Sequence, residues 1–303
     1  MQYSRFFVTN GERTIGLKAP KEVEAYLYQY FPPFAQVLKK GISDWEIECA
    51  SENSLNLDPV KQLISVPFDS TIWASLFIFR LIRNLFRLEY ARTADSLFLH
   101  GGVVNVDGKG ILYLGAKGAG KTSSILGMLS LGNGISYVCN DDAIIRFSNS
   151  MIGIGSARSI SIRRNTLKSL EKIFSLNLVQ EEHPSNELAS EKEYLTLYPK
   201  QLSEIFGNRL VQETPINAIV FPSIATEKGF QIEALPPQKT IEEITQHLDA
   251  PIDLRHSFLH SLVGELKPNI HFEKLITLPA FIISHSLSSV KDSANALRGI
   301  LYG

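Results

Sequence analysis

The chain has 303 residues, 44 % of them hydrophobic and 20 % charged, a composition that excludes a disordered or fibrous protein and leaves room for one large domain or two. Thirty basic against 31 acidic residues give a formal net charge of −1, so no global positive field draws it to nucleic acid or to an anionic membrane. The two cysteines, Cys49 and Cys139, have no C-x-x-C spacing and no histidine partner at ligand spacing, which argues against a disulfide framework or a zinc site.

The N-terminal stretch MQYSRFFVTNGERT lacks the apolar core of a signal peptide, and a cytoplasmic location is expected. Arg5–Thr9, an Asn10-Gly11 turn and Thr14–Leu17 predict a β-hairpin with a type I′ turn. A helix follows over about Lys21–Phe31 and stops at Pro32-Pro33, and Trp45–Cys49 and Leu63–Val66 alternate as strands do. Either Asp69 or Ser70 caps the next helix. Its apolar run Trp73–Leu88 is interrupted by Arg80, Arg83 and Arg87, so it reads as a core-packing helix with one solvated basic face and not as a membrane span. These elements make a small α+β N-terminal lobe over residues 1–92, with a second, larger domain expected over 93–303.

From Leu97 the pattern becomes strand, Asp107-Gly108 turn, strand (Gly110–Leu114), glycine loop, helix (Gly120–Leu131), a Gly132-Asn133-Gly134 stop and strand (Ile135–Cys139), a βαβ-like nucleotide-binding core of an α/β protein. Residues 180–193, QEEHPSNELASEKE, are polar and lack periodicity, as in a surface loop or lid. Strands at Ile216–Phe221 and Phe230–Leu235 come next, then a helix from about Ile241 with a Thr240-x-x-Glu243 capping box. Strand Phe281–Ser284 and a helix around Val290–Leu301 close the chain.

Gly115-Ala116-Lys117-Gly118-Ala119-Gly120-Lys121-Thr122 satisfies G-x-x-x-x-G-K-[ST] between the apolar strand ILYL and a helix, the context in which such a loop cradles phosphate. The glycines let successive amides turn inward on phosphate oxygens at a helix N-terminus. The cofactor-binding set is therefore Gly115, Lys117, Gly118, Ala119, Gly120, Lys121, Thr122 and Ser123, with ATP and Mg²⁺ as ligands. Lys121 would neutralise the β- and γ-phosphates, and the Thr122 hydroxyl would be a ligand of Mg²⁺.

Nineteen positions after Lys121, strand ISYVC ends in Asn140-Asp141-Asp142, where a crossover is expected to return the chain beside the phosphate-loop strand. Asn-Asp-Asp is also ordinary turn chemistry. Beside a phosphate loop, however, two carboxylates can divide the tasks of meeting the metal and accepting the proton of an attacking hydroxyl. His100, in LFLHGG, ends the strand whose hairpin feeds the loop; it is either a hydrogen-bonded core residue or a group that orients one of the aspartates.

The combination of LHGG, a short hairpin, GAKGAGKT and a strand ending in DD resembles the HPr kinase/phosphorylase family, over about residues 97–147 and more weakly in GSARSISIRR (155–164). The resemblance implies the P-loop fold that this family shares with phosphoenolpyruvate carboxykinases. It also implies a histidine, His100, supporting a catalytic aspartate, Asp142, with Asp141 close to the metal. The family's glutamate followed by Arg-Gly has no counterpart in SISIRR, which speaks against phosphorolysis and recognition of HPr. Related kinases with a small N-terminal lobe phosphorylate serine on ribosomally made peptides, so the resemblance implies a peptide or small-protein substrate, with a homo-oligomer possible.

Arg158, Arg163 and Arg164 are each candidates for stabilising the transferred phosphoryl group or for a solvated basic edge. His256, His260, His271 and His285 have no metal-ligand spacing and read as packing or surface residues; Ser257 and His260 make no hydrolase. The competing function is a nucleotide-dependent ATPase or switch whose 180–193 loop engages a protein partner. The absence of N-K-x-D and of an acid ending strand IVFP (219–222) weakens that alternative.

Overall fold

Alternation builds the first sheet. In the computed structural model, which describes residues 2–28, 31, 34–50, 55–68, 70–92, 95–155, 158–176, 194–252, 258–259, 261–262 and 271–302, strands β1 (Tyr3–Thr9) and β2 (Thr14–Pro20) pair antiparallel. The turn between them is shifted by one residue from the type I′ expectation. Gly11 alone takes a positive φ, +92°, while the Asn10 side-chain oxygen accepts the amides of Glu12 and Arg13. An asparagine occupied with its own downstream amides leaves the glycine as the first central residue, as in a type II′ turn.

Helix α1 (Lys21–Leu27) ends earlier than expected, and β3 (Gln36–Leu38), β4 (Trp45–Ala50), β5 (Asn56–Asp58) and β6 (Leu63–Pro67) complete a six-stranded mixed sheet in the order β3-β1-β2-β4-β6-β5. Phe6, Val8, Ile15, Leu17, Ile47, Cys49, Ile64 and Val66, two apart along their strands, are all buried. Helix α2 (Thr71–Arg92) is capped by Ser70, whose hydroxyl accepts the Trp73 amide at 3.2 Å. The solvated arginine face expected on it is not there: Arg83 and Arg87 are 8 % and 4 % exposed. For Arg87 the reason lies far along the chain. Residues 251–267 return to this unit, where the Pro251 carbonyl accepts Arg87 Nε at 2.8 Å and the Leu262 carbonyl accepts Arg92 Nη2 at 3.2 Å.

The second unit comprises residues 95–250 and 268–303. Strand β7 (Ser96–Leu99) runs through His100 into β8 (Gly101–Val106), and a turn with positive φ at both Asp107 and Gly108 leads to β9 (Lys109–Leu114). Helix α3 (Lys121–Leu129) and β10 (Ile135–Cys139) follow as expected, but β10 pairs antiparallel with β8 and not with β9. A hairpin partner already occupies that edge of β9, and the other edge is taken by a later, parallel strand.

Strands β11 (Ala143–Phe147), β12 (Met151–Gly155) and β13 (Ile160–Arg163), helix α4 (Arg164–Phe174), β14 (Tyr194–Leu197) and α5 (Pro199–Phe206) lie in a stretch whose elements the sequence pattern did not mark. Then come β15 (Arg209–Leu210), the long β16 (Glu213–Ile224), β17 (Phe230–Ala234), α6 (Pro237–Thr245), α7 (Phe272–Leu275), β18 (Ala280–His285) and α8 (Val290–Tyr302).

The main sheet follows the order β15-β10-β8-β9-β16-β12-β11-β7, with β18 on β16 and β17 on β18; β13 and β14 form a separate pair. Thr240 is not a cap. Helix α6 begins at Pro237, so Thr240 lies inside it and its hydroxyl donates to the Pro236 carbonyl. The core of this unit gathers Leu97, Val103, Leu112, Val138, Ile145 and Ile219 from successive strands. No described helix is long and apolar enough to cross a membrane. Pro32-Pro33, Asp69, residues 180–193, His256, Ser257 and His260 lie outside the described residues.

Candidate active site

Strand pairing explains why distant residues meet. Leu114, the end of β9, faces Gly101, and Cys139, near the end of β10, faces Val103, so both strands finish at the His100 end of β8. After the turn, Ala143 of β11 pairs with Leu99 of β7. Two segments, β7-His100-β8 and β10-turn-β11, therefore run side by side and bring His100–Gly102 opposite Asn140–Asp142. Gly102 makes the approach possible: a Cβ there would sit 2.4 Å from Ile125 Cδ1, 3.0 Å from the Cys139 carbonyl oxygen and 3.3 Å from Asn140 Cα. β16 and β18 run parallel to β9, so their carboxyl ends, Ile224 and His285, reach the same rim, where open α/β sheets place ligands.

The loop from Gly115 to Gly120 joins β9 to α3. Gly118 and Gly120 have φ of +88° and +101°, a backbone that an L side chain rarely adopts, and a Cβ on Gly120 would also meet Ile224 Cδ1 at 2.7 Å. The Ala119 amide closes on the Ala116 carbonyl; among the described residues, the amides of Lys117, Gly118 and Gly120 face no protein acceptor. Helix α3 starts without a side-chain cap, so its first amides and its dipole are directed at the loop.

A cavity of about 600 Å³ opens beside the loop. Of the residues singled out from sequence, His100, Lys117, Gly118, Gly120, Lys121 and Thr122 line it, as do Ser123 and Asp141. Gly115, Ala119 and Asp142 do not; Asp142 is 1 % exposed beneath the turn. Lys121, 5 % exposed, donates to the Gly115 carbonyl at 2.5 Å, and its Nζ lies 3.7 Å from Asp141 Oδ1. That same oxygen is 3.8 Å from His100 Nε2. The other Asp141 oxygen accepts Asn140 Nδ2 at 3.0 Å, and Asn140 Oδ1 faces the Thr122 hydroxyl at 3.4 Å. The histidine of the LHGG motif thus faces Asp141, the more accessible of the two aspartates. Asp141 has a left-handed backbone, φ +58°, which aspartate tolerates better than most residues.

Electrostatics follow from burial and crowding. Burial lowers the Lys121 pKa below its ordinary value, with Asp141 opposing the shift. The His100 pKa is also lowered, first by burial and then by the Lys121 charge, so the imidazole is neutral at pH 7. His247, whose carbonyl accepts the His100 amide at 2.9 Å, is shifted the same way, mainly by burial.

Residues that sequence reasoning had not marked complete the walls. The Tyr194 ring lies 5.5 Å from Lys117 Nζ and 5.8 Å from the Arg163 guanidinium carbon, and its hydroxyl accepts Arg163 Nε at 3.0 Å. Ile224 arrives because β16 runs three residues beyond its expected end. Behind the loop, buried His285 pairs its Nε2 with Ser124 Oγ at 2.9 Å and its Nδ1 with the Ser286 carbonyl at 3.2 Å, which fixes the first turn of α3. Nothing in the spacing of Ser124 and His285 signals that pair; only the parallel β16–β18 register creates it.

No protein-family model and no curated protein matches the chain. Among solved structures it is similar to the Hpr(Ser) kinase/phosphatase from Coxiella burnetii, with 14 % sequence identity and a TM-score of 0.31, covering 68 % of this chain and 99 % of that one. A likeness of that size carries no functional weight, and the chemistry of the cavity rests on its own residues.

Proposed function

We propose that this chain is a kinase that moves the γ-phosphate of ATP, bound with Mg²⁺, to a serine or threonine hydroxyl of a peptide or small protein. The observation that carries this reading is the meeting of Lys121, Asp141 and His100 at the mouth of a loop in which the amides of Lys117, Gly118 and Gly120 face no acceptor among the described residues. Phosphoryl transfer asks a protein chiefly for charge neutralisation and positioning, and these groups supply both.

The residues fit Mg²⁺. Thr122 and Asp141 both line the cavity, and a hydroxyl and a carboxylate are oxygen donors of the kind Mg²⁺ takes alongside phosphate and water. When bound there, Mg²⁺ would offset negative charge on the β- and γ-phosphates. Lys121 and the loop amides hold the triphosphate. Asp141 accepts the proton of the incoming hydroxyl, its other carboxylate oxygen held by Asn140 Nδ2, while His100 lies beside it at the cavity wall. This moves the proton acceptor from Asp142, as the resemblance implied, to Asp141, because Asp142 is buried under the turn.

The test is mass spectrometry of candidate peptides and small proteins after incubation with ATP–Mg²⁺, using the native chain, Asp141→Asn and Asp142→Asn. Phosphate on serine or threonine that disappears with Asp141→Asn and persists with Asp142→Asn supports the assignment. The reverse pattern returns the role to Asp142, and ATP binding or hydrolysis without transfer points to a nucleotide-dependent switch.

A further inference from the structure

Three arginines follow the β11–β12 hairpin within seven residues, and their surroundings separate them. Arg163 lines the cavity with its Nε on the Tyr194 hydroxyl and its guanidinium over that ring. Arg164 opens helix α4 and does not line the cavity. Arg158 lines the cavity on the Asp141 side, and its Nη1 donates to the Asp141 main-chain carbonyl at 2.9 Å. Its own carbonyl accepts the hydroxyl of Tyr137, a side chain fully buried on β10.

Resting on the kinase reading above, we infer that Arg158 is the arginine that stabilises the transferred phosphoryl group, held in place by its bond to the Asp141 carbonyl. A guanidinium has five N–H donors in a planar fork. Among the described residues one donor is committed to the Asp141 carbonyl, and Arg158 lines the same cavity as Lys121, Asp141 and His100. The bond to Asp141 ties this cation to the same turn that presents the proton acceptor, so charge stabilisation and deprotonation are set by one piece of backbone.

In the step, the bond from the γ-phosphorus to the bridging oxygen breaks and its electron pair leaves with ADP. A bond forms to the acceptor oxygen, whose proton goes to the Asp141 carboxylate. Arg158 gives its remaining donors to the equatorial oxygens of the phosphoryl group in flight. Because that charge distribution exists only in the transition state, Arg158 adds more to turnover than to ATP affinity.

The experiment measures ATP turnover, with water as the acceptor or with any phosphorylated peptide found above, together with the affinity for a fluorescent ATP analogue. The proteins are the full chain, Arg158→Lys and Arg158→Ala, the last with and without added guanidinium ion. The expected result for Arg158→Ala is a fall in kcat of ~10²–10³-fold with affinity changed by less than about 3-fold, as for removal of a transition-state donor. Arg158→Lys recovers only part, because an ammonium lacks the fork, and millimolar guanidinium restores about 10-fold of the lost Arg158→Ala rate.

Arg158→Ala turning over at the native rate, or losing affinity in proportion to rate, overturns the assignment. Native protein that binds ATP but neither hydrolyses nor transfers it overturns the kinase reading and this assignment together. A fall in rate with no guanidinium rescue and a changed circular-dichroism spectrum makes Arg158 a folding residue and likewise overturns it.

Discussion

The outer charges of the first unit neutralise one another locally: Arg5 meets Glu46, Arg13 meets Asp44 and Glu89, Arg92 meets Glu89, and Lys39 meets Glu24. The cavity of the second unit does the opposite, gathering Lys117, Lys121, Arg158 and Arg163 around Asp141, the one carboxylate among its described lining residues. Paired surface charges cost little and contribute little. A crowded cationic cavity carries a standing desolvation and repulsion cost, which a polyanion such as a triphosphate offsets on binding. On the proposed reading, the contrast separates charges that pair at the surface from charges gathered for a ligand.

Changing the most buried cation breaks the contrast most strongly. Lys121→Ala is expected to weaken ATP-analogue binding by ~10²-fold, the scale of a charge-assisted contact, while the melting temperature without nucleotide stays level or rises. A parallel loss of apo stability would make Lys121 structural. Next comes Gly102→Ala, whose Cβ has no room against Ile125 and the Cys139 carbonyl. It is expected to cost about 1–3 kcal/mol in urea unfolding, and an unchanged midpoint would refute the close approach of β8 to the Asn140 turn.

A smaller effect comes from pH. His100, His247 and His285 all have folded pKa values lowered mainly by burial, so their contribution to stability is full above the ordinary value of 6.5 and is lost as pH falls through the lowered values. Thermal melts between about pH 7.5 and 5 should show that decline, with His285→Gln flattening part of it. Smallest of all, Arg5→Gln in the first unit should cost no more than about 0.5 kcal/mol and lose even that in high salt, because Arg5 is mostly exposed.

Local pattern made the strand–loop–helix at Gly110–Leu129 and both flanking strands legible, because the phosphate-loop spacing, apolar runs and glycine stops all agree there. It misplaced whatever depends on distant chain. Arg87 looked like part of a solvated face, but its Nε donates to the carbonyl of Pro251, far along the chain. Strand β10 was expected beside β9, but the order of a sheet is set by long-range pairing that periodicity does not encode. The resemblance implied Asp142 as the catalytic aspartate and Asp141 as the one close to the metal, a division that residue type alone does not make. Only the pairing of Ala143 with Leu99, which draws Asp142 under the turn, leaves Asp141 in the cavity. The segment from β11 to α5 went unread although α4 buries Leu167, Leu170 and Phe174 at helical spacing; its strands, of four or five residues, are too short for alternation to mark them.

The three loop amides without a protein acceptor also define a clock. Amides of β9 are locked between β8 and β16 and should exchange with deuterium among the slowest in the chain, whereas those of Lys117, Gly118 and Gly120, a few residues away, should exchange among the fastest. A bound triphosphate would slow the second group and leave the first untouched, so the isotope content of one short peptide spanning the loop reads its occupancy directly.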